Sequence, residues 1–467
     1  MELSFLFEQL KGHYLTNPFP PVEERRANLI SLRKILQTNA EDIAKAISID
    51  FSHRARYETL LLEIFPAINA INYCLKNLKK WIKPRKRHVS WLFKPASAYL
   101  MPQPLGVVGI IVPWNYPILL AVGPLVYALA AGNRVMVKMS ELTPETGILL
   151  DRLLKTSRLE SQVVIVNGDV QVAQRFTSLP FGHLLFTGSP AVGKLVMKEA
   201  AENLTPVTLE LGGKSPAFLS TSMNENYFKR LFMGKIANAG QTCISPDYLL
   251  APKHWENRIE TLARSFVDKH YPDLLENKDY SNIISTKHQE RLTALIEDAR
   301  EKGARVVQIG ENSDQQGRMP LFLLFDVDNT MRVMQEEIFG PILPVVSYKS
   351  LTDAIQDINS RPNPLVIYYF GDNKHEKEML KRHTLSGGLS INDTLTHVAI
   401  DSLPFGGVGN SGMGHYHGQE GFDIFSKLKP IFVQKYFAAV SWFYPPHGKL
   451  MNFLLVRIAG MTLKEKK

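Results

Sequence analysis

The chain has 467 residues, of which 45% are hydrophobic and 21% charged, and a formal net charge of +9. This length allows two or three domains with large cores, and the composition is that of a soluble globular protein rather than a disordered or membrane-embedded one. Two cysteines exclude a disulfide framework, and a reactive thiol calls for a reducing compartment. The first ten residues carry acids and read as an amphipathic helix, not a secretory signal, so the expected location is the cytoplasm.

The first ninety residues read as helices. Pro21, Glu23 and Glu24 open one where proline and acids suit a helix N-terminus, and Leu29, Leu32, Ile35 and Leu36 follow at helical spacing. Cys74 lies in an apolar helical stretch and reads as a small buried hydrophobe. The basic run 79–88 would suit nucleic acid or an anionic membrane surface. No nucleic-acid fold signature accompanies it, and a solvated helix end is the preferred reading; no nucleic-acid partner is expected.

From about Leu105 the texture changes. The spacing predicts strands at 106–112, 134–138, 163–166, 183–187 and 207–210, alternating with helices at 118–131, after Thr143-Pro144-Glu145, and at 191–201. A second series includes a helix over 289–302, a strand at 305–308, a helix over 351–359, a strand at 365–370 and a helix over 376–383. This alternation predicts an α/β protein with two doubly wound, Rossmann-like domains and a ligand cleft between them. The stretch 402–412 is too rich in glycine for helix or strand and reads as an ordered loop. The apolar stretch 450–461, flanked by Lys449 and by Lys464, Lys466 and Lys467, is too short to span a bilayer. It reads either as an interfacial anchor or as a helix covering a partner subunit.

Two segments carry chemistry. Gly240-Gln241-Thr242-Cys243 offers a soft nucleophile, and Glu210-Leu211-Gly212-Gly213-Lys214 a carboxylate, about thirty residues apart in glycine-rich surroundings. A thiolate that forms a covalent adduct and a carboxylate that helps water to break it suit a two-step reaction. Gly188, Ser189 and Gly193 follow a predicted strand and open a helix, as a pyrophosphate site would; Gly188 would let the backbone approach closely and Gly193 would allow tight helix packing. Their spacing is not the dinucleotide fingerprint, and a plain strand–turn–helix corner is the alternative. Lys138 and Glu141 follow another strand and would suit ribose hydroxyls, or form a solvated loop.

Taken together, Pro113-Trp114-Asn115-Tyr116-Pro117, Phe186-Thr187-Gly188-Ser189, the Glu210 and Cys243 segments, Glu337-Ile338-Phe339-Gly340-Pro341 and Pro404-Phe405-Gly406-Gly407 resemble the aldehyde dehydrogenase superfamily, from about residue 20 to 436. Thr205–Glu210 (205–210) and 409–418 resemble its class 3 branch, and 50–54 with 107–117 are similar to bacterial coniferyl-aldehyde dehydrogenases.

The resemblance implies an NAD(P)-dependent oxidation of an aldehyde to an acid through a thiohemiacetal and a thioester, on aromatic aldehydes such as coniferyl aldehyde. Cys243 would be the nucleophile, Asn115 and the Cys243 N–H the oxyanion hole, and Glu210 the base that activates water. Glu337 would hold the nicotinamide ribose beside Phe339. Lys138 and Glu141 would take the adenosine ribose, and Gly188, Ser189 and Gly193 the pyrophosphate, with Trp114 lining that site. Glu141 favours NAD by charge, with NADP open. Tyr116, Ile244 and 392–399 are candidate substrate contacts. No metal is expected: His415 and His417 read as loop histidines without a third ligand.

By the same resemblance, 1–85 with 105–211 would form the cofactor domain, 212–400 the catalytic domain, and 401–425 a loop returning to the cleft. Residues 86–104 with 426–437 would form an oligomerisation arm giving a homodimer, and 438–467 the tail. Other readings are a fatty-aldehyde dehydrogenase held at the inner membrane face by that tail, a non-catalytic binding protein on the same fold, and a cofactor-free cysteine esterase.

Overall fold

The computed structural model describes residues 2–311, 317–437, 440–441 and 444–462. Its α/β architecture rests on three sheets. The first has six strands in the order Gly412–Met413, Val207–Leu211, His183–Gly188, Val107–Ile111, Arg134–Lys138 and Val163–Val166. Its five longer strands are parallel. Val107–Ile111 and Arg134–Lys138 are buried at every position, which is why the first reads as a continuous apolar run; the second is apolar only between its terminal Arg134 and Lys138. Helix Pro117–Ala131 is apolar all round and buried over most of its length; Gly132, at φ 97°, ends it with the left-handed cap that favours glycine.

The second sheet has seven strands: Arg305–Ile309, Leu321–Phe325, Ile342–Tyr348, Tyr248–Pro252, Pro216–Leu219, Val366–Phe370 and Gly388–Ile391. Each of the two large sheets carries its own principal core. A third sheet joins Arg85–Arg87, Ser97–Pro104 and Ser426–Val433, all antiparallel.

Two differences from the sequence expectation are edge effects. Arg305–Ile309 pairs antiparallel with its neighbour, so the second sheet is mixed. The glycine loop is not free of strand: Gly412–Met413 pairs antiparallel with Glu210 and Leu209. A Cβ on Gly412 would lie 2.4 Å from the Leu209 carbonyl, so only glycine lets the loop approach the strand that closely. Helix Lys449–Ala459 has no buried residue. Lys464, Lys466 and Lys467 lie outside the described residues.

Candidate active site

The parallel strands of the first sheet deliver the candidate residues at their C-terminal ends, where ligand crevices form in α/β sheets. Val107–Ile111 runs into Trp114 and Asn115, His183–Gly188 into Ser189, and Val207–Leu211 carries Glu210 near its end. Cys243 comes from the other side. Helix Phe228–Ile236 stops, Asn238, Ala239 and Gly240 take left-handed backbone (φ 52°, 51° and 74°), and the chain turns sharply before Cys243. A Cβ on Gly240 would lie 2.3 Å from the Gly340 carbonyl, so this turn needs glycine.

Two cavities meet at Cys243. One, of about 230 Å³, is lined by Trp114, Asn115, Glu210, Cys243, Glu337 and Phe339 among others. The second, of about 270 Å³, is mostly apolar; Leu61, Phe65, Tyr116, Cys243, Ile244 and Phe405 lie on its walls. The sulfur is therefore reachable from a polar side and from an apolar side.

On the polar side, Glu210 is 3% exposed and neither carboxylate oxygen has a hydrogen-bond partner among the described residues. Burial pushes its pKa well above the usual carboxylate range. Burial, followed by the Glu337 and Glu210 charges, pushes the Cys243 thiol up to about 12. Glu337 is raised to about 8, by burial first and then by Asp247. Its carboxylate leans over Gly212, where a Cβ would lie 2.1 Å from Oε2.

Two networks hold these groups. The Asn115 amide donates to the Gln241 carbonyl at 3.1 Å, and its backbone carbonyl accepts from Arg54 Nη1 at 2.9 Å and from Asn238 Nδ2 at 3.1 Å. Arg54 is fully buried between Glu58 (Nε–Oε2, 3.5 Å) and Glu63 (Nη2–Oε1, 3.8 Å). Glu58 accepts from the Asn238 backbone N–H, while Glu63 accepts from the Ile118 and Leu119 backbone N–H groups at the start of helix Pro117–Ala131. In the second network, Lys214 Nζ donates to Asp247 (2.5 Å) and to the carbonyls of Val333 (2.6 Å) and Glu336 (3.2 Å), while Asp247 accepts from the Ile338 amide. Lys214 and Asp247 thus fix the segment that carries Glu337.

Trp114 packs edge-on to Phe339 at 5.3 Å. Ser189 caps helix Pro190–Ala201 by accepting from the Val192 amide at 3.4 Å, beside the same cavity. Gly193 does not line the cavities that hold Cys243. Its Cα faces Leu211, where a Cβ would come within 2.7 Å of Cδ2, so it is a helix–sheet packing position. Lys138 and Glu141 do not line them either. Lys138 is buried and donates to the carbonyls of Met139 and Gly168, each at 2.7 Å, leaving one ammonium N–H; Glu141 is exposed. On the apolar side, the Tyr116 hydroxyl pairs with Thr242 Oγ1 at 2.7 Å, and Ile244 is buried. Leu395, Thr396, Val398 and Ala399 also line this cavity.

The roles of Arg54, Glu58, Glu63 and Asp247 are absent from the sequence reading, as are the cavity positions Leu61, Phe65, Tyr416 and His417. One signal was available: Glu58 and Glu63 bracket an apolar run, Thr59-Leu60-Leu61-Leu62, where carboxylates need partners.

The polar cavity fits a ribose-bearing phosphate ligand. A helix N-terminus lies at Ser189, Glu337 offers a half-buried carboxyl group, and Thr187 Oγ1 is a buried polar atom without a partner among the described residues. Among the described residues no group of three or more His, Cys, Asp or Glu is placed to hold a metal ion.

The Aldehyde dehydrogenase family profile matches residues 19–431. A probable coniferyl aldehyde dehydrogenase of Pseudomonas aeruginosa is 50% identical over 98% of this chain and 96% of its own. The substrate-bound AldH structure of Staphylococcus aureus superposes with a TM-score of 0.93 at 34% identity, covering 98% of this chain and 100% of that one. An aldehyde dehydrogenase of Mycobacterium tuberculosis, solved with NAD+, superposes with a TM-score of 0.82 at 29% identity, over 90% of this chain and 87% of that one.

Proposed function

The chain belongs to the aldehyde dehydrogenase family, and from that premise we propose that it oxidises cinnamyl-type aromatic aldehydes, such as coniferyl aldehyde, to their acids with NAD. The observation that carries this reading is one sulfur shared by two cavities, one apolar and one lined by carboxylates. An aryl aldehyde suits the apolar wall. A dinucleotide suits the other side, with Ser189 and the backbone at Gly188 for its pyrophosphate, Glu337 for a ribose, Trp114 and Phe339 flanking the ring, and Lys138 and Glu141 for the second ribose. When bound, the dinucleotide accepts a hydride.

The chain's own residues do the rest. The Cys243 sulfur bonds the carbonyl carbon as the C=O electron pair moves onto oxygen, and the thiol proton ends on that oxygen, giving a thiohemiacetal. The Asn115 amide and the Cys243 N–H donate to the developing oxyanion; such donors contribute about 3 kcal/mol each in related acyl chemistry. Oxidation of the adduct leaves a thioester on Cys243. Glu210, buried and without a protein partner, takes a proton from water as that water attacks the thioester carbon, and the sulfur leaves. A carboxylate whose pKa is raised by burial is better matched to this task near neutral pH than an exposed one.

The residue ranges 1–85 with 105–211 and 212–400 suit cofactor and catalytic domains, since the cavities lie where the two large sheets approach each other. The three-stranded sheet suits a homodimer arm, to be tested by sizing in solution. The cytoplasm is the proposed location, with a peripheral membrane contact left to the tail. Its helix exposes Leu450, Phe453, Val456 and Ile458. Among the described residues no helix is long and apolar enough to cross a membrane. Deletion of residues 446–467 tests the tail: loss of binding to anionic vesicles supports contact, and unchanged partitioning refutes it.

Initial rates over an aldehyde panel with NAD and NADP test the main reading. Higher kcat/KM for cinnamyl-type aldehydes than for long alkanals, with NAD preferred, is expected. Faster turnover of alkanals would overturn the aromatic assignment. Ester cleavage without any NADH formation would overturn the dehydrogenase reading.

A further inference from the structure

The apolar cavity contains a polar group that the mechanism above does not use. His417 lies on its wall, with backbone angles of φ 86° and ψ 153°, a region that L residues rarely adopt. The fold over-determines this conformation. On one side, Tyr416 and Phe405 exchange two backbone hydrogen bonds of 2.7 Å; on the other, the His417 carbonyl accepts from the Gly421 amide at 2.8 Å as helix Gly418–Ile424 begins. The imidazole stacks on Phe405 (5.7 Å, 25°) and meets Tyr416 edge-on at 4.5 Å. It makes no hydrogen bond to the described residues, and its Nδ1 is buried. Burial lowers its pKa to about 4, so near neutral pH the ring is uncharged, with one nitrogen to donate and one to accept. Asp401 lines the same cavity, also without a hydrogen-bond or ion-pair partner among the described residues.

Buried polar groups in native proteins are paired, and one that is not calls for an explanation. An alkyl chain or an unsubstituted ring would leave the imidazole unpaired. A ring hydroxyl would satisfy it, donating to one nitrogen or accepting from the other. Resting on the aromatic-aldehyde reading above, we infer that His417, seconded by Asp401, recognises a hydroxyl on the ring of the substrate, so that the enzyme selects hydroxylated aryl aldehydes and not aryl aldehydes in general.

The test measures kcat/KM for cinnamaldehyde and its 4-hydroxy and 4-methyl derivatives with the full-length enzyme, His417→Phe and His417→Asn. Phenylalanine keeps a ring against Phe405; asparagine removes the ring and is shorter. The wild type is expected to prefer the hydroxyl over both hydrogen and methyl by roughly ten-fold or more, because a site built to bond a hydroxyl rejects analogues that lack it. In both variants the hydroxy-to-methyl ratio should fall toward one. A 4-methyl compound turned over by the wild type as well as the 4-hydroxy compound would overturn the inference, and this arm stands even if neither variant folds. A ratio unchanged in the variants would overturn it too. Good turnover of cinnamaldehyde with no hydroxyl preference refutes this inference alone, whereas turnover confined to alkanals refutes the aromatic reading beneath it as well.

Discussion

Replacing Arg54 with methionine removes the guanidinium that Glu58 and Glu63 share and takes a donor from the Asn115 carbonyl. Both carboxylates are buried, and removing one partner of a buried ion pair typically costs about 3–5 kcal/mol, because charge is left unpaired. The pH dependence is more specific. Burial already raises Glu63 from 4.5 to about 7, against the pull of Arg54 and two backbone amides. That rise corresponds to about 3 kcal/mol less favourable ionisation than in the unfolded chain. Between these two pH values the folded protein holds more protons on Glu63 than the unfolded chain does, so this group's contribution to stability falls as pH rises from 4.5 to about 7. Without Arg54 the folded-state pKa rises further, and the loss continues to higher pH. The variant should therefore show a deficit of about 3–5 kcal/mol at pH 8 that shrinks markedly at pH 6. Urea unfolding followed by tryptophan fluorescence at both pH values measures it. An equal deficit at the two pH values, or a larger one at pH 6, would refute the argument. A companion variant with Glu58→Gln and Glu63→Gln added should recover most of the stability at pH 8.

Glu210→Gln should keep the first burst of NADH while slowing steady-state turnover by roughly 10²–10⁴-fold, since only thioester hydrolysis needs the base; stopped-flow absorbance showing both phases falling together would remove that role. Gly212→Ala places a methyl where the Glu337 carboxylate lies, 2.1 Å from Oε2. NAD titrations and kcat/KM should show a loss of about 10–100-fold, as for a displaced positioning group, and wild-type values would dissociate Glu337 from cofactor binding. With its pKa at about 12, Cys243 should be alkylated by iodoacetamide ever faster as pH rises past 10; a plateau by pH 9 would show that the carboxylates and burial do not hold the thiol protonated.

The sequence reveals the reacting groups better than it reveals what holds them. Cys243, Glu210, Asn115 and Glu337 each stand in a short motif whose glycines and neighbours are local, so the chemistry is visible without the fold. Arg54 reaches Asn115 across 61 residues, and Lys214 reaches Glu336 across 122. Nothing near Arg54 in the chain announces that separation. The same limit applies to strands. Val107–Ile111 and its parallel neighbours alternate with helices at regular intervals and are legible. In the second sheet the reading misses Pro216–Leu219, Tyr248–Pro252, Leu321–Phe325, Ile342–Tyr348 and Gly388–Ile391, because short apolar runs beside glycine and proline show no periodicity of their own. Gly193 shows how two readings of one glycine part. Its place after a strand suits a phosphate loop and equally a helix packed tightly on the sheet, and its Cα faces Leu211, as the packing reading expects.

The two carboxylates beside Cys243 impose a requirement on the site as a whole. Burial, and after it the Glu337 and Glu210 charges, raises the thiol's pKa, so the resting enzyme keeps its nucleophile protonated and inert. Positive charge brought into the polar cavity opposes that field and favours the thiolate, whereas an aldehyde entering from the apolar side carries no charge and leaves it in place. The geometry therefore favours an order of events in which the cofactor side fills first and the sulfur becomes reactive only when an oxidant is present. An enzyme that behaved otherwise would trap aldehydes as adducts it could not oxidise. Alkylation of Cys243 at pH 8 measures this: it should accelerate when NAD+ is added and stay unchanged when an unreactive aryl analogue is added, and the reverse pattern would mean that charge in the polar cavity does not set the thiol's reactivity.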